Sequence, residues 1–182
     1  MGVIACPGTK KACIPVAVLV VSLAFSCAGS TGFMSYREAL FQGHQHLRNG
    51  DPRAALEQFV RASHGDPTIA LPLVLAGQTA YQMGDYAQAS RYLTQAEGLM
   101  KGRDYAYVIV KAYRSLIAFK EDRREEGMAA LADYVRVMGS RFSHPEQSYY
   151  EVERMYQSGT IAFPRLEGLI NYQVSRYEGV AM

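Results

Sequence analysis

The side chains best equipped for chemistry in this sequence are few and unevenly placed. Cys6, Cys13 and Cys27 all fall at the N-terminal end, so no thiolate nucleophile, disulfide or cysteine-type metal site can be built beyond them. His44 and His46, in "HQH", are the nearest approach to a metal motif. On a helix their side chains point about 200° apart, whereas helical ligands to one ion come at i and i+3 or i+4. At least one of the pair is expected to line a surface instead. No HExxH, GxSxG or GxxxxGK[ST] pattern is present, and such patterns mark metal-assisted, acyl-transfer and phosphate chemistry. The charged run "KEDRREE", residues 120–126, reads as a solvated turn laced with local ion pairs. The expectation is a non-enzymatic chain with no catalytic residue, no metal site and no cofactor.

Cys27 stands apart because of what precedes it. Lys10 and Lys11 give a positive start, Ala12 to Phe25 is an apolar run without a charge, and small residues, "SCAGSTG", follow. That order is the pattern of an export signal. The run is shorter than the ~20 apolar residues of a spanning helix, and an uncleaved anchor is the alternative if Cys27 and Ala28 are counted in. "LAFSC", Leu23 to Cys27, resembles the lipobox of bacterial lipoproteins, with Ser26 as the small residue before the cysteine. The resemblance implies that residues 1–26 are removed, that Cys27 becomes the lipidated first residue, and that 27–35 form a flexible tether. The alternative is a general signal peptide with a chance cysteine. "MGVIAC" does not serve as a myristoylation motif, because Cys6 stands where Ser or Thr is needed. The localisation implied is the cell envelope, facing the periplasm, attached to the membrane by the lipid or by the uncleaved helix.

Removing Lys10 and Lys11 from the 19 basic side chains leaves 17, equal to the 17 acidic ones. A near-neutral chain lacks the basic surface that displaces counterions from phosphates, so nucleic acid is not an expected partner. The 182 residues, 49% apolar and 20% charged, are those of an ordered globular chain with a sizeable core.

Two stretches, "RNGDPRAALEQFVRA" (48–62) and "QMGDYAQASRYLTQA" (82–96), share their small and aromatic positions at one constant spacing. Gly43 pairs with Gly77, Gly50 with Gly84, Asp51 with Asp85, Ala55 with Ala89, Phe59 with Leu93, and Ala62 with Ala96. A period of about 34 residues predicts a repeated helix pair. Gly43, Gly77, Ala55 and Ala89 are expected where helices approach closely. Gly50 and Gly84 would supply a left-handed helix end. Asp51 and Asp85 would cap the next helix, with Pro52 in its first turn.

These residues resemble the tetratricopeptide repeat. The resemblance implies an all-α fold, a solenoid of about four antiparallel helix hairpins, with a first unit over 36–69 and a second over 70–103. A degenerate third hairpin is expected over 104–141, where Tyr105, Val108, Ile109, Tyr113, Leu116 and Ile117, then Met128, Leu131, Val135 and Met138, keep helical spacing. Matching Gly127 to Ala89 lengthens the spacing by about one helical turn, which would then be an insertion. A closing helix pair is expected over 142–182. Its first helix has Ser143 as cap, Pro145 in the first turn and Gly159 as stop; its second runs from Pro164 to about Glu178.

Function is implied by the same resemblance. In that family the first helices of successive hairpins line a groove that holds a partner segment. Carried over by position, the groove residues are Arg37, Leu40, Phe41, His44 and Arg48 from the first unit and Val74, Gln78, Tyr81 and Gln82 from the second. About half of the apolar members would instead bury against adjacent helices. The expected partner is a protein or peptide of an envelope complex, engaged through a hydrophobic segment or strand. The alternative is a carrier of a small apolar ligand, or an accessory component of a solute-uptake system, formed by the tyrosine-rich C-terminal half.

Overall fold

The computed structural model describes residues 35–102, 105–141 and 146–181. The export segment, the Cys27 lipidation site, Asp104, Ser143 and Pro145 lie outside the described residues. The described chain is all-α, with no strand among those residues. Among the described residues eight helices follow one another: α1 (35–48), α2 (Pro52–Gly65), α3 (Leu71–Gln82), α4 (Tyr86–Leu99), α5 (Tyr105–Lys120), α6 (Arg124–Arg141), α7 (Gln147–Ser158) and α8 (Phe163–Ala181). No helix among the described residues is long and apolar enough to cross a membrane.

The glycines and aspartates of the repeat act at the junctions. Gly50 and Gly84 have φ of 75° and 79°, the left-handed region that glycine enters without steric cost. The Asp51 carboxylate accepts from the Ala54 N–H at 3.0 Å, and that of Asp85 from the Gln88 N–H at 2.9 Å. Each cap satisfies a backbone donor that the first turn of a helix leaves open.

The junction from α5 to α6 has the same backbone plan without the glycine. Gly50 N–H donates to Leu47, Gly84 N–H to Tyr81, and Asp122 N–H to Phe119. One residue further, Asp51, Asp85 and Arg123 donate to His46, Ala80 and Ala118. This pair of bonds closes a helix whose last residue turns left-handed. Asp122, at φ 57°, therefore stands where Gly50 and Gly84 stand, displaced from the repeat spacing by the inserted turn. Ala55, Ala89 and Gly127 then each occupy the fourth position of their helix. The additional turn belongs to α5, which has 16 residues against 12 in α3.

Two boundaries differ from the sequence expectation. Helix α7 begins at Gln147, with Glu146 as its N-cap residue in extended backbone and no side-chain cap bond, so the helix does not start from Ser143. Gly159 closes it in the left-handed conformation, at φ 66°. Helix α8 starts one residue before Pro164 and continues past Glu178 to Ala181. In α8 the Arg165 and Leu166 N–H groups both donate to the Ala162 carbonyl, and the Arg165 side chain donates to the Glu151 carboxylate on α7 at 2.7 and 2.8 Å.

Close approach explains the small residues. A Cβ on Gly43 would lie 2.4 Å from the Phe59 ring, and one on Gly77 would lie 2.7 Å from Leu93. Phe59 and Leu93 are fully buried, so neither can retreat. In the third pair the roles are exchanged: the small residue, Gly127, is on the second helix, and its Cβ would meet the Phe119 ring at 2.8 Å.

Candidate partner-binding surface

Helix α1 presents one stripe to the outside. Positions 37, 41, 44 and 48 recur at intervals of four, three and four, which keeps them on one face. Arg37 and Arg48 are exposed, and Phe41 is 55% exposed, unusual for a phenylalanine. Leu40 is half-buried against the α1–α2 contacts. His44 is half-buried, its ring edge-on to Phe59 with centroids 5.4 Å apart. His46 is also half-buried.

Helix α3 behaves differently. Its sequence, "LPLVLAGQTAYQ", contains no charged residue, and every residue from Pro72 to Tyr81 is buried. A helix that is apolar on all sides has to be enclosed, and α3 packs against α2, α4 and α5. Val74 is fully buried, Gln78 is buried, and Tyr81 is 6% exposed. The structure thus places these three inside the protein, whereas Gln82 remains exposed.

Tyr81 is held from the far side by the C-terminal helix. Its hydroxyl donates to the Glu167 carboxylate, and its ring touches Tyr86 and Tyr113 at 5.4 and 5.2 Å. Burial first, then the hydrogen bond to Glu167, pushes the phenol above its ordinary range. Helix α8 runs antiparallel to α5: Lys120 pairs with Glu167 at 3.7 Å and lies 4.6 Å from the Phe163 ring centroid. The Tyr113 hydroxyl then donates to the Asn171 side chain at 3.1 Å, and that of Tyr105 to the Val174 carbonyl at 3.1 Å. Leu166, Leu169, Ile170 and Val174 are buried beneath it. Covering four such side chains stabilises the docked helix by about 6–12 kcal/mol at most. That magnitude makes α8 part of the core and not a loose cover.

Where α1 meets α3, His44, Leu47, Leu75, Gln78, Thr79 and Gln82 line a concavity of ≈ 40 Å³, room for little more than a water molecule. The Thr79 hydroxyl donates to the Leu75 carbonyl at 2.8 Å and is internally satisfied. Three of the nine sequence-derived residues, His44, Gln78 and Gln82, meet in this concavity. Arg37, Phe41 and Arg48 share the exposed stripe of α1, while Val74 and Tyr81 belong to the core. The sequence reading missed Leu71, which is 41% exposed at the start of α3. Its signal was the spacing 71, 75, 78 and 82, one face of the helix.

Charge is distributed away from α3. Asp51 and Asp85 are committed as caps, and Glu38 accepts from Gln42 at 2.6 Å along α1. Ion pairs gather on α4 to α6, where the Lys111 ammonium lies 2.6 Å from Glu97 and 3.3 Å from Asp133 and the Arg114 guanidinium also reaches Glu97. Burial alone would raise the Glu97 carboxyl, but its bonds and charge contacts with Lys111 and Arg114 outweigh that and hold it below the ordinary range. Burial would likewise lower the Lys111 ammonium, and the contact with Glu97 raises it instead. This network neutralises itself and joins α4 to α5 and α6. Among the described residues no group of three His, Cys, Asp or Glu side chains is placed to hold a metal ion.

The chain matches no protein-family model, and a comparison with curated proteins finds no match to it.

Proposed function

We propose that this protein is a non-enzymatic adaptor of the bacterial cell envelope, a tetratricopeptide-like solenoid of helix hairpins that binds a segment of a partner protein. In this reading it is exported, processed before Cys27 and held at the membrane by a lipid on that residue. The observation that carries the proposal is the repetition of one helix–turn–helix junction at Gly50, Gly84 and Asp122. Stacked helix pairs of this kind bury their faces against neighbours and leave an extended side available to other chains. The exposed stripe Arg37, Phe41 and Arg48 supports the assignment of that side to α1.

The test has two parts. Cys27→Ser should yield a protein without acyl mass that is released from membranes; retention on membranes points to an uncleaved N-terminal helix. Crosslinking of the wild-type protein in its native envelope should capture a protein partner. A native mass spectrum that retains a small apolar ligand, with no captured protein, would replace the adaptor with a carrier.

A further inference from the structure

A concavity separate from the α1–α3 surface lies where the first half of α2 faces the turn between α3 and α4. It measures ≈ 350 Å³ and is lined by Arg53, Leu56, Glu57, Met83, Asp85 and Gln88, a size at the lower end of small-molecule sites. Leu56, Met83 and Gln88 are half-buried, whereas Arg53, Glu57 and Asp85 are exposed. Arg53 and Glu57 stand one turn apart on α2, yet among the described residues neither side chain has an ion pair or a hydrogen bond. Asp85 accepts from the Gln88 N–H through one carboxylate oxygen, which leaves the other uncommitted. The next junction holds the same place with its charges closed on themselves. With Asp122 matched to Gly84, the counterparts of Met83, Asp85 and Gln88 are Glu121, Arg123 and Glu126. There Arg123 donates to Glu121 at 3.1 Å and also to Glu126. At the repeat spacing, Arg53, Leu56 and Glu57 correspond to Ala87, Ser90 and Arg91 on α4. Of these two junctions, only the first combines an unpaired guanidinium with unpaired carboxylate oxygens and two apolar side chains.

We propose that this concavity binds a free α-amino acid with an apolar side chain. Its carboxylate meets Arg53, its ammonium lies between Glu57 and Asp85, and its side chain rests against Leu56 and Met83. A guanidinium presents two parallel N–H donors to a carboxylate, and an ammonium has three donors to divide between two carboxylates. A simple anion would face Glu57 and Asp85, and a simple amine would face Arg53. A zwitterion opposes each group with the matching charge. The site goes beyond the adaptor reading and is independent of it, since none of its six residues belongs to the α1–α3 surface.

Titration of the purified full-length protein with L-leucine, followed through its amide NMR signals, tests this. The expected shifts concentrate at residues 53–57 and 83–88. N-acetyl-L-leucine lacks the ammonium and 3-methylbutylamine lacks the carboxylate, and each should bind about tenfold more weakly. Arg53→Ala and Glu57→Ala should each weaken leucine binding about tenfold and leave the rest of the amide spectrum in place. Arg61→Ala, also exposed and about two turns further along α2, should leave binding unchanged. No shift at about 10 mM leucine, where a site with a Kd of about 1 mM is nearly filled, overturns the proposal. So does binding indifferent to both α2 substitutions, or shifts centred on other residues. Equal binding of the amine would remove the carboxylate from the recognition and make the site one for amines. Equal binding of all three compounds would reduce it to apolar contact and overturn the assignment of both charges.

Discussion

In α1 to α4, neighbouring helices meet where a side chain is missing or small, with Phe59 seated against Gly43 and Leu93 against Gly77. In α5 to α8 one such contact recurs, Phe119 against Gly127, and tyrosine hydroxyls that bond across the helices are added to it. Tyr81 joins the two regions by donating to Glu167, and Tyr134 donates to the buried Gln173, whose own amide donates to Ser148 at 3.0 Å. The difference is one of tolerance. A dry contact fixes the distance between axes to within a methyl group. A hydroxyl at the end of a ring can satisfy itself on a carboxylate, an amide or a backbone carbonyl.

The dry contacts should be the most costly to disturb. Phe59→Ala removes a fully buried ring and should destabilise the protein by about 3–5 kcal/mol, read as a shift of the urea midpoint. Gly43→Ala and Gly77→Ala should each cost about 1–3 kcal/mol, because the methyl group overpacks a fixed site. A loss below about 0.5 kcal/mol at Gly43 would mean that the Phe59 ring can move, and that the N-terminal contact is as adaptable as the C-terminal one.

Removing a hydroxyl should do less. Tyr134→Phe leaves the Gln173 oxygen without that donor in a buried place, for an expected loss of about 1–3 kcal/mol. Tyr113→Phe, whose partner Asn171 is exposed, should cost about 1 kcal/mol or less. Equal losses at the two sites would show that burial of the acceptor is not what sets the strength of this seam.

The same contrast explains what could be read in advance. Dry contacts recur at one spacing because each copy needs the same small residue opposite the same large one, so Gly43, Gly77, Phe59 and Leu93 announced themselves as a period. The third junction kept its backbone and changed its letters: Asp122 took the left-handed position and Phe119 faced Gly127, which hid its register. The all-helical fold and the order of helices were legible from periodicity. The docking of α8 was not, because Glu167, Asn171 and Gln173 look like ordinary polar residues until their tyrosine partners are known. For the candidate surface, the stripe on α1 was legible from spacing. Burial of Tyr81 depended on helices distant in sequence, through Tyr113 on α5 and Glu167 on α8.

Where the two regions join, the prediction concerns pH. The Glu97 carboxyl is held below its ordinary value in the folded protein, so it contributes stability above that value and loses it as pH falls through the depressed one. Glu97→Gln should therefore reduce stability at neutral pH and flatten the acid limb of the stability profile below about pH 5. The variant and the parent should converge at the acid end. Parallel profiles with a constant offset would mean that Glu97 acts by packing rather than by charge.

The smallest expected effect tests whether the third junction is a copy of the first two. Gly50 and Gly84 occupy the left-handed region without a side chain, whereas Asp122 enters it with one. A Cβ in that region crowds the neighbouring carbonyl, and aspartate tolerates this better than most residues. Asp122→Gly relieves the crowding but gives the unfolded chain more freedom. The net result should be a gain of up to about 1 kcal/mol. Gly84→Ala should move the other way, with a loss of about 1 kcal/mol, since a Cβ there meets no neighbouring atom and only the backbone is strained. Opposite signs at these two positions follow if one backbone plan serves both junctions. A loss on Asp122→Gly would mean that the aspartate side chain contributes something that the glycine junctions do without, and the third junction would then be a different structure that shares only its hydrogen bonds.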